Sequence, residues 1–294
     1  MGIPLEQILI QTINGLVNGM ILALVASGLT LIFGIMDVVN FAHGELVMLG
    51  AFTGATTLAV TGNFWLALVA ATLVIAAFGA LLQVTTLRPL LGSGSRTPQE
   101  VALTTILATF GISLVLQKYA LWQWGPSARK LQEPITGQFT LFYLQYPWYR
   151  IATALLSAAI IGALYLFLKY GIWIRAAIQD RVMAQAMGIP VPLLHTGVFA
   201  IGAGMAAASG VLFGPLAGVT QTIGADFTLR AFIVVVVGGM GNLGGSILAS
   251  IFISLLEAYA SLIVSPAQAV IFSFVALILT LLFRPTGLFV PTPK

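Results

Sequence analysis

The sequence predicts an all-α membrane protein, a polytopic helical bundle of about 8–10 spans. Of its 294 residues, 59% are hydrophobic and 7% are charged, whereas a soluble domain carries roughly 25% charged residues. The charged residues cluster and leave apolar runs of about 20 residues, the length that crosses a roughly 30 Å hydrocarbon core. There is no cysteine, and the net charge of +4 is spread over loops, which argues against a disulfide scaffold and against nucleic acid as a partner.

The predicted spans are apolar windows whose boundaries are reliable to about 2–4 residues. They fall at about 8–34, 46–61, 64–86, 101–121, 148–169, 193–214, 229–239, 246–264 and 267–283. The window at 229–239 is too short to cross comfortably, so nine crossings result only if it is counted. No polar stretch is long enough for a soluble domain, and residues 1–294 are therefore predicted to form one transmembrane domain.

Basic residues predict which loops face the cytoplasm, because cytoplasmic loops carry an excess of lysine and arginine. They group as Arg88 with Arg96, Lys169 with Arg175 and Arg181, and Arg284 with Lys294. The C-terminus is therefore predicted to be cytoplasmic and the N-terminus external.

Two stretches interrupt the apolar pattern and predict two broken helices. The first, IMDVVNFAHGELVM, runs from Ile35 to Met48, and the second, VGGMGNLGGS, runs from Val237 to Ser246. Irregular backbone at membrane depth requires protein or a water-filled cavity to satisfy its polar groups. Both stretches are therefore expected to lie inside the bundle or beside a pathway.

A weak internal repeat relates the two interruptions. Ala26-Ser27-Gly28 matches Ala208-Ser209-Gly210, and each tripeptide precedes one of the interruptions. The repeat divides the domain into halves of about 1–150 and 151–294. Corresponding interrupted segments in two halves are typical of transporters built from internal repeats.

The first interruption carries the candidate functional side chains Asp37, Asn40, His43 and Glu45. An ionisable group within a membrane is costly and is functional by default, so one interpretation is a translocation path or gate. The alternative is a structural hinge at the cytoplasmic interface, in which a helix begins near His43 with Glu45 in its first turn.

The second interruption predicts structural turns at Gly238, Gly239, Gly241, Gly244 and Gly245. Glycine permits backbone conformations that other residues avoid, so a tight turn between short helices is expected. No lysine follows a phosphate-binding glycine pattern, and the chain is not expected to bind or hydrolyse ATP itself.

Catalytic and metal-binding patterns are also missing from the sequence. Two histidines, His43 and His195, without any cysteine argue against a metal site. The string closest to a GxSG protease nucleophile, Ala207 to Gly210, lacks its first glycine. We therefore expect no enzyme activity and no cofactor in this chain.

The loop at 170–192 is cytoplasmic by its charge and long enough for one short helix. At helical spacing, Ala177, Val182, Met183, Ala186 and Met187 share one side, and Arg175, Asp180, Arg181 and Gln185 lie towards the other. Gly188 and Pro190 end the helix. It is expected either to lie on lipid headgroups or to be presented to a cytoplasmic partner.

Four segments resemble branched-chain amino acid ABC transporter permeases of the LivH type. They are GLTLIFGIMDVVNFAHGELVMLGAF (Gly28 to Phe52), IRAAIQDRVMAQAMGI (Ile174 to Ile189), VVVVGGMGNLGGSILAS (Val234 to Ser250) and LTLLFRPTGLF (Leu279 to Phe289). They occur in order over nearly the whole chain, and NFAHGE is the most specific string. The resemblance implies a multi-pass permease of the bacterial inner membrane.

The resemblance also implies partners and a mechanism. A second homologous permease subunit, two cytoplasmic ATP-binding subunits and a periplasmic solute-binding protein are expected, with solute crossing between the permeases. The loop is then similar to a coupling helix, with Arg175, Asp180, Arg181, Ala184, Gln185 and Gly188 as candidate contacts to the ATPase. A branched-chain or other neutral amino acid is the expected solute, and urea, short amides or aromatic acids are alternatives.

A different class of function is a proton-coupled carrier that acts alone. Asp37, His43, Glu45 and Glu257 would then relay protons, and Glu257 does lie in the middle of an apolar segment. That carboxyl group could instead stay protonated, or pair within the bundle, for example with Arg230.

Overall fold

The computed structural model describes residues 5–91, 97–141 and 144–289 of the chain. Within these ranges the helices are α1 (Leu5–Met36), α2 (His43–Thr61), α3 (Phe64–Leu82), α4 (Arg88–Leu91), α5 (Pro98–Trp124), α6 (Trp148–Tyr170), α7 (Ile172–Gln179), α8 (Arg181–Ala186), α9 (Val191–Ala217), α10 (Ile223–Gly238), α11 (Leu243–Ala260) and α12 (Pro266–Phe283). A short π-helical segment (Gln83–Leu87) joins α3 to α4, and two strands, β1 (Gln138–Leu141) and β2 (Leu144–Pro147), precede α6. Arg96 and Lys294, which contribute to the predicted sidedness, lie outside the described residues.

The predicted spans coincide with helices. Among the described residues, 8 helices are long and apolar enough to cross a membrane, and α10 is shorter, with 16 residues. The prediction of an all-α, multi-pass membrane bundle is therefore confirmed, and the short window belongs to α10.

Two helices form the centre of the bundle. In the most apolar stretch of α1, 83% of the residues are buried, and in that of α9, 78%, against 17% for α5 and for α12. Glycines let the central helices approach closely, since a Cβ on Gly28 would lie 2.8 Å from the carbonyl oxygen of Gly202. Small residues at such contacts allow the backbone packing that stabilises helix pairs in lipid.

Each central helix packs mainly against a helix from a distant part of the sequence. α1 packs most extensively on α11, near the C-terminal end of the chain, and α9 packs most extensively on α3. A hydrogen bond of 2.7 Å joins the Thr30 and Ser246 hydroxyls between α1 and α11. Each serine of the repeated Ala-Ser-Gly tripeptides is fully buried. The division into two repeat halves stays a prediction.

An antiparallel hairpin before α6 is a feature that the sequence analysis did not predict. Its strands pair with Gln138 opposite Pro147. The hydroxyl of Tyr146 donates a 2.8 Å hydrogen bond to Asn14 of α1, and Arg150 donates to the same amide oxygen. Burial raises the pKa of the Tyr146 phenol, and the nearby Arg150 opposes that shift. The Tyr146 hydroxyl therefore stays protonated, and its hydrogen bond holds the hairpin against α1.

Candidate functional site

The first interruption is a six-residue reversal between α1 and α2 (37–42). Asp37 has a left-handed φ of 56°, which aspartate tolerates better than most residues, and its N–H bonds the Phe33 carbonyl at 2.8 Å. The side chain of Asn40 accepts a 3.0 Å hydrogen bond from the Ala42 N–H, the local turn that asparagine favours. These two residues end α1 and redirect the chain into α2.

The reversal places the start of α2 deep within the bundle. His43 Nε2 lies 3.1 Å from the carbonyl oxygen of Val25, and Val25 precedes the last residue of α1, Met36, by 11 positions (36 − 25). At about 1.5 Å per residue this is roughly 16 Å of helix. His43 therefore lies beside the body of α1, roughly half the thickness of a 30 Å hydrocarbon core away from the end of that helix.

The first turn of α2 meets the first turn of α10 at this depth. The Gly44 N–H donates to the Thr228 hydroxyl at 3.1 Å, and Thr228 donates to the Gly224 carbonyl at 2.9 Å. A Cβ on Gly44 would collide with α10 backbone, and one on Gly224 would collide with Glu45. Two helix amino ends, each with partial positive charge, thus converge around one carboxyl group.

Glu45 is held from the other side by α5. Its Oε1 accepts a 3.0 Å hydrogen bond from the Ser113 hydroxyl, and the nearby Phe41 N–H donates to Thr109 at 3.2 Å. The carboxyl group is 0% exposed. Three helices therefore enclose it.

Three polar atoms at this position have no hydrogen-bond partner among the residues that the structure describes: Asn40 Nδ2, His43 Nδ1 and Glu45 Oε2. The three residues are 2%, 1% and 0% exposed. Unpaired buried polar groups are rare and costly. Three of the four predicted path residues are thus buried at the start of α2, where His43 contacts α1 and Glu45 contacts α5 and α10. Asp37 is exposed at the end of α1.

A second polar group lies along α10 and α11. Arg230 Nη1 is 2.9 Å from Glu257 Oε2, and Ser273 of α12 donates to Glu257 Oε1 at 2.5 Å. The predicted pairing of Glu257 with Arg230 is confirmed.

Arg230 also lines a cavity of about 170 Å³ together with Asn18 and Asp226. Asn18 and Asp226 were not predicted from the sequence to be functional. The sequence signal for Asp226 is its four-residue spacing from Arg230, which puts both charges on one face of a helix within an apolar segment.

The predicted coupling loop is two short helices rather than one. The chain breaks at Asp180, whose φ of −156° is extended and whose carboxylate caps α8 by accepting a 2.9 Å hydrogen bond from the Met183 N–H. A capping carboxylate stabilises a helix start at this position, and this explains the break.

The loop's predicted polar and apolar faces need correction because of this break. Ala177 and Ala184 are buried together with Val191, whereas the large apolar residues predicted to share a face with Ala177 are exposed: Val182 78%, Met183 61% and Met187 78%. Of the predicted coupling residues, Arg175, Asp180, Gln185 and Gly188 are exposed and Ala184 is not. The side chain of Arg181 lies outside the described part of the chain.

The glycine cluster forms the turn between α10 and α11. Gly239 and Gly241 have positive φ values of 99° and 81°, and Gly238 and Gly245 approach so closely that neither has room for a Cβ. Gly244 is exposed. The Asn242 side chain caps α11 by accepting a 3.1 Å hydrogen bond from the Gly245 N–H.

Comparison with known proteins identifies the family. The model of the family described as branched-chain amino acid transport system / permease component matches residues 11–282. The chain belongs to this permease family. No solved structure matches it.

Named relatives of this permease share nearly its whole length. The Escherichia coli K12 high-affinity branched-chain amino acid transport system permease protein LivH is 31% identical over 95% of this chain and 94% of its own. Pseudomonas aeruginosa BraD, with the same description, is 30% identical over the same shares. A probable LivH of Methanocaldococcus jannaschii is 24% identical over 91% of this chain and 88% of its own. The permease is thus a transport component with several membrane spans.

Replacing Thr228 with valine is expected to destabilise the contact between α2 and α10. The substitution keeps the side-chain shape but leaves the buried Gly44 N–H without an acceptor, which costs about 1–3 kcal/mol. The thermal midpoint of the purified protein in detergent should fall. Thr104→Val is the control, because the Thr104 hydroxyl bonds only its own helix at an exposed position. Equal midpoints for the two variants would contradict the role of Thr228.

Proposed function

We propose that this permease is the membrane subunit of an ATP-driven importer for branched-chain or other hydrophobic or neutral amino acids. It would pair with a second homologous permease, be driven by two cytoplasmic ATP-binding subunits, and receive solute from a periplasmic solute-binding protein. The relatives named as branched-chain amino acid permeases support this substrate class. The C-terminus and the loop with α7 and α8 would then face the cytoplasm, as the basic residues predict.

The exposed apolar surface of the loop is the observation that carries this proposal. Val182, Met183 and Met187 are more than half exposed, and they project from a loop that lies between α6 and α9 rather than within a span. Apolar side chains clustered on a surface mark protein interaction sites. Arg175 and Gln185 are exposed beside them, which gives the surface the mixed character of a subunit interface.

Purification from native membranes in mild detergent tests the assembly. Two ATP-binding subunits and a second permease of similar size should co-purify with the tagged chain. Val182→Asp should release the ATP-binding subunits, because a charge would be buried at the interface. Val60→Asp is the matched control, since Val60 is 82% exposed at the far end of α2. Recovery of the folded chain alone would instead favour a carrier that acts by itself.

Gly188 is proposed to transmit motion between the loop and α9. Its φ is +84° with no atom near a Cβ position, so valine there would strain the backbone without a clash. Gly188→Val should reduce the solute transported per ATP hydrolysed in proteoliposomes. Gly62→Val provides the control, because Gly62 has a similar φ of +67° and equally open surroundings on the turn after α2. Equal coupling ratios in the two variants would contradict this role.

Asn40, His43 and Glu45 are proposed to act as a gate at the meeting point of α2 and α10. Their unpaired buried atoms would gain partners when the two helices move apart, which would favour a second conformation. Glu45→Gln keeps the volume and the acceptor for Ser113, so uptake should fall severalfold while the thermal midpoint changes little. A midpoint that falls together with uptake would identify Glu45 as a structural cap instead.

A further inference from the structure

The cavity beside α10 lies against the middle of α1 and carries both signs of charge. Its wall includes Ile21, which lies 16 residues after the start of α1 and 15 before its end (21 − 5 and 36 − 21). Asp226 and Arg230 line the same cavity, and both are accessible on the surface of the single chain. A charged side chain costs about 2.5–3.5 kcal/mol at the centre of a lipid bilayer. We therefore expect protein or water, and not lipid, to cover this face.

The two charges differ in how they are satisfied. Arg230 is held by Glu257 through one terminal nitrogen, so the remaining N–H donors of its guanidinium stay available. The carboxylate of Asp226 has no hydrogen bond or ion pair with any of the residues that the structure describes. An unpaired carboxylate and a guanidinium oriented by Glu257 thus line the same cavity.

Apart from Asn18 and Ser254, the rest of the wall is apolar. Leu22, Phe213 and Phe227 line the cavity, and the rings of Phe213 and Phe227 meet edge to face at 5.1 Å. The cavity volume of about 170 Å³ is below the roughly 300–1,000 Å³ of a complete small-molecule site. The opposing permease at this face would supply the remaining wall.

We propose that this cavity is half of a binding site for the zwitterionic backbone of an amino acid during translocation. Asp226 would bind the α-ammonium, Arg230 the α-carboxylate, and the apolar wall the side chain. This rests on the proposed function and narrows it. A neutral urea or amide offers no positive charge to the bare carboxylate, and an aromatic acid without an amine would place a second negative charge beside Asp226, so both alternatives fit less well.

Competition in proteoliposomes that contain the complete importer tests the assignment. The probes are leucine, 4-methylpentanoate, which lacks the ammonium, and isopentylamine, which lacks the carboxylate. Only leucine should compete for uptake by the natural protein. Asp226→Asn should weaken leucine uptake at low concentration by about tenfold or more, the effect of losing a charge-assisted hydrogen bond, and should reduce discrimination against 4-methylpentanoate. Arg230→Gln should reduce discrimination against isopentylamine.

Glu6→Gln is the matched control, because Glu6 is an exposed carboxylate in the first turn of α1. It should leave uptake and discrimination unchanged. If both cavity variants take up leucine as the natural protein does and discriminate equally well against the two analogues, the zwitterion site is wrong, and the proposed substrate class still stands. A natural importer that takes up urea and not leucine would overturn the proposed substrate class together with it.

Thiol labelling keeps the proposal testable if the charge variants fail to assemble. The chain has no cysteine, so Asn18→Cys places a single thiol of this chain at the cavity, and Glu6→Cys places one outside it on the same helix. Leucine should slow modification of the first thiol and not the second, and neither analogue should protect. Protection of neither thiol by saturating leucine, or equal protection by the analogues, would overturn the assignment.

Discussion

The close approach of α2 and α10 at Gly44 and Gly224 is the contact on which the polar interior depends. Because neither residue has a Cβ, the backbones meet where a hydrogen bond from Gly44 to Thr228 can form. A larger side chain at either glycine would push the two helices apart. The side chain of Glu45 would then lose its contact with α10. Bundles in lipid lack a strong hydrophobic drive for helix association, so close backbone packing of this kind does much of the stabilising.

α10 links the buried cluster to the accessible cavity. Gly224 and Thr228 contact α2, whereas Asp226 and Arg230 lie two positions further along and line the cavity. Two residues correspond to about 200° around an α-helix, so the pairs occupy opposite faces of one rigid element. A shift of α10 that changes the contacts at one face therefore also changes the contacts at the opposite face. This is a physical route by which the proposed solute site in the cavity and the proposed gate on α2 would influence one another.

The membrane spans were predictable because the length of the apolar segments alone determines them. The pairing of Glu257 with Arg230 was predictable because two isolated opposite charges in lipid must find partners. Asp37 was grouped with the gate because it lies near Asn40 in the sequence, yet a left-handed backbone separates it from that cluster. The break at Asp180 was missed because helical spacing in the loop looked continuous, whereas the capping carboxylate interrupted it. The cavity was missed because it needs α1, α9 and α10 together.

The exposed apolar residues of α7 and α8 also bear on the life of the chain before assembly. Val182 and Met187 are each 78% exposed, and exposed hydrophobic surface of this kind makes a chain prone to aggregate and dependent on chaperones. A chain synthesised in excess of the proposed partners would keep that surface uncovered and would be lost to aggregation or degradation. The amount of this permease in the cell would then follow the supply of whichever partner is scarcest, without any dedicated regulator.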